Sequence, residues 1–127
     1  MQEQHLFEYA VIRVVPRVER EEFINIGVIL YCPKQAFLQA RFKLDVARMA
    51  AFCSELDIDC LKDNISSFER ICNGDKHAGA IARLDMASRF RWLTATRSTV
   101  VQPSKVHPGL CLDAELTLTK LFEQLVG

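Results

Sequence analysis

Neither sign of charge predominates in this sequence, which has 16 lysine and arginine residues against 16 aspartate and glutamate residues. Proteins that coat DNA or RNA without sequence preference carry a basic excess, because phosphate neutralisation supplies most of their affinity. The balance therefore argues against non-specific nucleic-acid binding. The charges are nevertheless uneven along the chain: the stretch from Lys76 to His107 is basic, with Asp85 as its one acid, and the stretch from Leu44 to Asp75 is acidic.

The sequence also lacks paired cysteines and long apolar runs. None of its 5 cysteines has C-x-x-C spacing, so neither a zinc site nor a disulfide framework is expected. No apolar run approaches the roughly 18–20 residues of a membrane span, and the first residues lack the apolar region of a signal peptide. We expect a cytoplasmic protein with free thiols and without a metal, a cofactor or a membrane contact.

Known catalytic motifs are missing as well. The chain has no Walker A loop, no G-x-G-x-x-G, no H-E-x-x-H and no G-x-S-x-G. His107 and Cys111 are the one pair that could form a nucleophile and its base, but such a pair needs a third group to orient the base. The sequence assigns no catalytic residue, and we favour a protein that is not an enzyme.

What is present is the pattern of one domain spanning residues 1–127, a normal length for a single core. Residues 7–15, 23–32 and 37–44 are rich in β-branched, aromatic or alternating apolar residues and predict three strands. The first is apolar on both faces, which indicates a central strand. The short connection at residues 33–36 predicts a hairpin between the second and third strands.

Helical periodicity follows these strands. Asp45, Asp85 and Asp113 precede apolar residues at helical spacing and predict helix N-caps, and the break at Asp57–Asp59 offers one more cap. Asn73-Gly74 predicts a helix end, and Pro108-Gly109 predicts a turn. Val100 and Val101 favour one more strand, at the sheet edge because Pro103 cannot donate a hydrogen bond. The fold class is therefore α+β: a small, mainly antiparallel sheet of three to four strands with helices packed chiefly on one face.

Two groups of polar residues are candidates for a binding site. Arg97-Ser98-Thr99 combines a guanidinium fork with two hydroxyls, a set that binds anions, and Trp92 nearby could stack on a ring. The alternative is an ordered loop whose hydroxyls bond to backbone groups, which is their commonest use.

The second group surrounds Arg13, which lies within an otherwise apolar strand. A buried arginine must be paired or must face a cleft. Asn25 and Gly27 are expected on the neighbouring strand, so this part of the sheet could bind a ligand. The alternative is that Arg13 reaches the sheet edge or pairs with an acid such as Glu8 or Glu21.

Five segments of the chain resemble a bacterial family known as domain of unknown function 3037: Tyr9-Ala-Val-Ile-Arg-Val-Val-Pro16, Glu22-Phe-Ile-Asn-Ile-Gly-Val-Ile-Leu30, Arg89-Phe-Arg-Trp-Leu-Thr-Ala95, Arg97-Ser-Thr-Val-Val-Gln-Pro-Ser104 and His107-Pro-Gly109. The resemblance transfers no activity. It implies a stand-alone bacterial cytoplasmic protein, often encoded beside a kinase resembling the HipA toxin. The polar positions that it implies are shared are Arg13, Asn25, Gly27, Arg97, Ser98, Thr99, Gln102 and His107.

Two hypotheses remain open at this point. The first is a non-enzymatic interaction module that binds a protein partner, for which the kinase encoded nearby is a candidate. The second is a domain that binds or processes a phosphate, nucleotide or nucleic acid through Arg97-Ser98-Thr99 and Arg13. A site requires convergence, so the decisive question is whether Arg13, Asn25 and Arg97 meet on one solvent-reachable surface.

Overall fold

Five strands and four α-helices make up the described part of the chain, residues 3–96 and 99–127 of a computed structural model. The strands are β1 (His5–Val14), β2 (Ile24–Cys32), β3 (Phe37–Phe42), β4 (Val101–Pro103) and β5 (His107–Cys111). The helices are α1 (Val46–Phe52), α2 (Ile58–Cys72), α3 (Met86–Leu93) and α4 (Ala114–Leu125), with 3-10 turns at Val18–Arg20 and Ile81–Arg83. No helix in these ranges is long and apolar enough to cross a bilayer.

The strands form one antiparallel sheet in the order β3-β2-β1-β4, and β5 pairs with the first half of β1. The prediction of a central first strand is confirmed, because β1 has paired neighbours along both edges. The predicted hairpin is also confirmed: β2 and β3 pair directly, and the amide of Ala36 donates to the carbonyl of Pro33 to close the turn. β4 lies at the sheet edge, as its proline predicts.

Helices cover the sheet unequally. Apolar residues from α1, α2 and α3 pack with one face of β1 and β2, where Ile12, Ile29 and Phe90 are fully buried. The other face is covered by α4, whose Leu118 packs against Val28 and its neighbours. The α+β class with helices chiefly on one face is therefore confirmed, with α4 as the helix on the second face.

Asp45, Asp85 and Asp113 fill the predicted N-cap role, and at the break Asp57–Asp59 the cap is Asp57. Each of these four side chains accepts a hydrogen bond from the amide three residues ahead. The predicted stop at the end of α2 is also confirmed, since Gly74 has the positive φ of 71° that follows many helix ends. These local predictions succeed because a cap needs only residues within one turn of the helix.

The predicted turn at Pro108-Gly109 is wrong, because both residues lie inside β5 and raise the number of strands to five. Gly109 is opposite Phe7 in the register, and a Cβ on Gly109 would lie 2.5 Å from the Phe7 ring. The glycine therefore makes room for an aromatic ring rather than a turn. Between β4 and β5 the chain bulges at Ser104, whose hydroxyl accepts a hydrogen bond of 2.8 Å from the Val11 amide.

Candidate functional site

Three of the predicted site residues lie side by side across the sheet. Arg13 of β1 is directly opposite Asn25 of β2 on one side and Gln102 of β4 on the other. Residues that are directly opposite in an antiparallel pair extend their side chains from the same face. The face is that of α4, because the Asn25 side chain donates a 3.1 Å hydrogen bond to the carbonyl of Leu125. We call Arg13, Asn25 and Gln102 the polar row.

A bulge in β2 creates this row. The register passes from Ile12 opposite Gly27 to Arg13 opposite Asn25, so that Ile26 has no partner in β1. The extra residue lets Ile26 stay fully buried in the core below α1, α2 and α3 while Asn25 turns to the α4 face. Without the bulge, an isoleucine would be opposite Arg13.

Arg13 has an unusual environment for a charged side chain. It is half-buried, and its Cζ lies 4.0 Å from the centroid of the Phe23 ring, a cation–π arrangement. Its Nε and the Oδ1 of Asn25 are both buried without a hydrogen-bond partner within the described ranges. Burial lowers the pKa of the Arg13 guanidinium from its ordinary value. Two uncompensated polar atoms therefore lie in adjacent strands of the polar row.

Neither acid expected as a partner of Arg13 neutralises it. Glu8 extends to the opposite face of β1, where its carboxylate accepts two hydrogen bonds from Arg91 of α3. Glu21 is exposed, and across residues 3–96 and 99–127 no ion pair joins an acid to Arg13. The local pairing that the sequence left open is thus not what the described structure contains.

The polar row connects to the second predicted group through Gln102. The Gln102 side-chain amide donates a 2.7 Å hydrogen bond to the carbonyl of Thr99, and the Thr99 hydroxyl donates to the carbonyl of Val101 at 2.8 Å. The Thr99 hydroxyl therefore bonds to the backbone, as in the alternative interpretation of this segment as an ordered loop. Arg97 and Ser98 lie outside the described residues, so their convergence with Arg13 stays a prediction.

Gly27 and His107 are placed elsewhere. A Cβ on Gly27 would lie 2.5 Å from the Phe42 ring and 2.8 Å from the Arg41 carbonyl oxygen, so this glycine serves packing on the face opposite the polar row. His107 is exposed and stacks on Tyr9 with ring centroids 5.3 Å apart. Tyr9 is four residues from Arg13 along β1, which separates the two positions by about 13 Å.

A catalytic pairing of His107 with Cys111 does not fit the strand geometry. The two residues lie in β5 opposite Tyr9 and His5 respectively, about 13 Å apart at the rise of a β-strand. Cys111 is buried under α4. This burial raises the pKa of the Cys111 thiol, and the neighbouring thiol of Cys32 raises it further. A neutral, enclosed thiol far from its intended base is a core residue.

Sequence reasoning missed Phe23 and the end of α4 as parts of this surface. Phe23 precedes β2, and the residue remains 46% exposed beside Arg13. The aromatic residue at the start of the predicted second strand was visible in the sequence, but nothing local indicated that its ring would lie against a guanidinium. The contact of Leu125 with Asn25 joins residues one hundred positions apart and has no sequence signal.

No metal cluster completes the site: within the described ranges, no three His, Cys, Asp or Glu side chains are grouped as metal ligands would be. No curated protein and no solved structure matches the chain. Residues 9–126, which contain the whole polar row, match the model of a family described as a protein of unknown function, DUF3037. The chain therefore belongs to the DUF3037 family, and its function must be inferred from the surface that the polar row and Phe23 form.

Proposed function

We propose that this protein is a small cytoplasmic interaction module, not an enzyme, and that it binds a protein partner through the polar row and Phe23. An acidic side chain of the partner would lie on the Arg13 guanidinium. The observation that carries the proposal is that Arg13 is half-buried and stacked on an exposed aromatic ring with no carboxylate of the described chain to neutralise it.

The energetics of a partly buried charge support this role. Removing a guanidinium from water is costly unless a countercharge and hydrogen bonds replace the lost hydration. A carboxylate from a partner would supply both, and the guanidinium fork can hold two carboxylate oxygens at once. Arginine and exposed aromatic residues are also enriched among the residues that carry most of the free energy of protein association. Arg13 and Phe23 combine these properties at one point.

The shape of the surface favours a protein over a small molecule. The five cavities described in residues 3–96 and 99–127 have volumes between about 270 and 600 Å³, and none is lined by a residue of the polar row or by Phe23. Small ligands bind mainly in concave sites, whereas protein interfaces place a few anchors on an open surface. All the cysteines are free, which suits the reducing cytoplasm.

The family resemblance implies a first candidate for the partner, the kinase resembling the HipA toxin. The test is co-purification of the full chain with that kinase, followed by calorimetry of the two purified proteins at micromolar concentration. Arg13→Ala and Phe23→Ala are each expected to weaken the complex at least tenfold, which corresponds to about 1.4 kcal/mol. Arg48→Ala is the matched control, because Arg48 is an exposed arginine on α1. A folded Arg13→Ala protein with unchanged affinity contradicts the proposal, as does the absence of any complex.

The alternative function is binding of a phosphate, nucleotide or nucleic acid by Arg13 together with Arg97-Ser98-Thr99. It is favoured by the hydrogen bond from Gln102 to the Thr99 carbonyl, which brings the residue next to Ser98 within reach of the polar row. A thermal-shift screen with phosphates, nucleotides and oligonucleotides distinguishes the two. A ligand at a hundred times its Kd raises the free energy of unfolding by about 2.7 kcal/mol. If the alternative is correct, this increase is absent in Arg13→Ala.

A further inference from the structure

A second polar site lies on the other side of the molecule, between the end of α2 and the start of α3. It is a cavity of about 600 Å³, and its lining carries four basic side chains and no acidic one within the described ranges. Its lining residues are Gly74, Lys76, His77, Ala82, Arg83, Leu84 and Arg89. We call this cavity the basic pocket.

Arg89 is held in place at the wall of the basic pocket. Its guanidinium lies directly over Gly74, where a Cβ would collide with Nη1. The glycine also has a φ of 71°, a conformation that side-chain-bearing residues rarely adopt. The turn after α2 therefore leaves a space that the Arg89 side chain fills. This arrangement positions the charge through the fold rather than leaving it on a mobile surface side chain.

One donor of the Arg89 guanidinium has no acceptor in the described chain. Its Nε is buried and has no hydrogen-bond partner there, although α3 and the turn after α2 pack against it. A buried donor without an acceptor is costly, and native proteins usually supply one from the chain, from water or from a ligand. The unsatisfied donor indicates that an oxygen acceptor belongs in or beside this cavity.

The acids closest to the basic pocket are occupied with other contacts. Asp75 accepts hydrogen bonds from the Arg70 side chain and the His77 amide, both at 2.9 Å. Asp85 caps α3 by accepting from the Ser88 amide at 2.7 Å. Hydrogen bonds from Ser88 and, more weakly, the charge of Arg89 lower the pKa of Asp85, so this carboxylate offsets part of the positive charge of Arg89 from the rim of the pocket. Asp75 is engaged by Arg70 and the His77 amide instead.

Arg83 and Lys76 are joined at one side of the pocket. The Nε of Arg83 donates a 3.3 Å hydrogen bond to the backbone carbonyl of Lys76, which orients the Arg83 side chain. Within residues 3–96 and 99–127, no ion pair joins Arg83 to an acid. The Lys76 side chain is exposed beside it. Together with Arg89, these groups give the cavity three positive charges, and the His77 imidazole adds a further hydrogen-bonding group.

We propose that the basic pocket binds a phosphate group, with the Arg89 guanidinium as its bidentate ligand and Lys76 and Arg83 as flanking cations. A phosphate group carries up to two negative charges and three acceptor oxygens, so it can satisfy several cations at once, whereas a carboxylate satisfies one guanidinium. The site is independent of the polar row, because α2 and α3 pack on the sheet face opposite to that of Arg13.

The test is isothermal titration of the full chain with inorganic phosphate, inorganic pyrophosphate and adenosine diphosphate at low ionic strength. Binding of all three assigns recognition to the phosphate group, and preference for the nucleotide extends the site to an organic phosphate ester. Arg89→Gln is expected to weaken binding at least tenfold, and Lys76→Gln several-fold. Arg48→Gln, a change at an exposed arginine outside the pocket, is expected to bind as the wild type does.

Circular dichroism establishes that each variant is folded, and Lys76→Gln at an exposed position keeps the test decisive if Arg89→Gln does not fold. The proposal is overturned if neither phosphate nor pyrophosphate binds at millimolar concentration. It is also overturned if affinity falls in Arg13→Ala and not in the pocket variants, since that result places the anion on the polar row. Loss of partner binding in Arg13→Ala with unchanged pyrophosphate binding separates the two sites.

Discussion

Arg91 of α3 and Glu8 of β1 form a two-point contact, in which Nη1 and Nη2 of the guanidinium donate to the two carboxylate oxygens at 2.9 and 2.5 Å. The contact connects α3 to the central strand. The hydrogen bond with Glu8 also raises the pKa of the Arg91 guanidinium. It also engages the acid nearest to Arg13 in sequence on that strand. Glu8 and Arg13 extend to opposite faces of β1, so this carboxylate serves the α3 face and leaves Arg13 to the other.

Replacing Arg91 tests how much the Arg91–Glu8 contact contributes to stability. The pair is only partly buried, with side-chain exposures of 56% and 25%, so Arg91→Ala is expected to lower the free energy of unfolding by only about 0.5–1 kcal/mol. Urea unfolding of Arg91→Ala, Glu8→Gln and the double variant measures the coupling between them. Additive single effects would show that the contact contributes nothing to stability.

The bulge between β4 and β5 gives a second prediction. The Ser104 hydroxyl accepts from the Val11 amide at 2.8 Å and donates to the Lys105 carbonyl at 2.9 Å. Ser104→Ala leaves the amide of Val11 without its acceptor, so we expect a loss of about 1–3 kcal/mol in the free energy of unfolding. Ser54→Ala, at an exposed position, serves as the control and should be close to neutral. Equal effects of the two changes would contradict the role of Ser104.

The close approach of Gly109 to Phe7 gives a third prediction. A Cβ at position 109 would lie 2.5 Å from Cζ of Phe7, and a buried ring can move little to relieve the overlap. Gly109→Ala should therefore lower the free energy of unfolding by about 1–3 kcal/mol. In a Phe7→Leu background, the same change should cost less, because the ring atoms that it meets are gone. An undiminished cost in that background would mean that the backbone, not the ring, requires the glycine.

The N-cap of α3 predicts a dependence on acid. Hydrogen bonds from Ser88, first from its hydroxyl and then from its amide, lower the pKa of Asp85. A carboxyl with a lowered folded-state pKa stabilises the fold above its unfolded pKa of about 3.9, and that contribution is lost as the pH falls through the folded-state value. The stability difference between wild type and Asp85→Asn should hence be constant near neutrality and disappear in acid. A difference that persists at pH 2 would rule out the carboxylate as its source.

The buried thiol of Cys72 predicts that the free energy of unfolding falls at alkaline pH. Burial raises the pKa of its thiol to about 12, while an unfolded cysteine ionises near about 8.5. A raised folded-state pKa means that stability is fully present below the unfolded pKa and falls as the pH rises toward the folded value, by at most about 1.4 kcal/mol per pH unit. Between pH 9 and 10.5, Cys72→Ala should lose stability less steeply than the wild type. Cys60→Ala, at an exposed cysteine, should retain the wild-type slope.

Much of the fold could be predicted from short-range patterns. Asp45, Asp57, Asp85 and Asp113 act as N-caps because the interaction joins residues within a single helical turn. The strand at residues 7–15 was predictable as a central one, since only a strand with two covered faces is apolar on both. The turn at Pro108-Gly109 was predicted wrongly, because a proline and a glycine are typical of turns unless a distant ring requires the space.

The candidate site was predictable only as a set of residue types. A lone arginine in an apolar strand marks Arg13 as unusual, and the sequence indicates no more than that. Asn25 reaches its position opposite Arg13 through the bulge at Ile26, and Gln102 does so through pairing across almost ninety residues. A shift of one residue in either register would turn these side chains to the other face.

By itself, the sequence determined the helix N-caps, the first three strands and the choice of apolar residues for the core, since each depends on spacing along the chain. Only the tertiary structure decided that Arg13 would lie on Phe23 without a countercharge, and that Arg89 would lie over Gly74 in a cavity of basic residues. The physical reason is that the countercharge of a side chain comes from groups that are distant in sequence. Strand register and helix packing decide which groups come close, and no local segment encodes either of these.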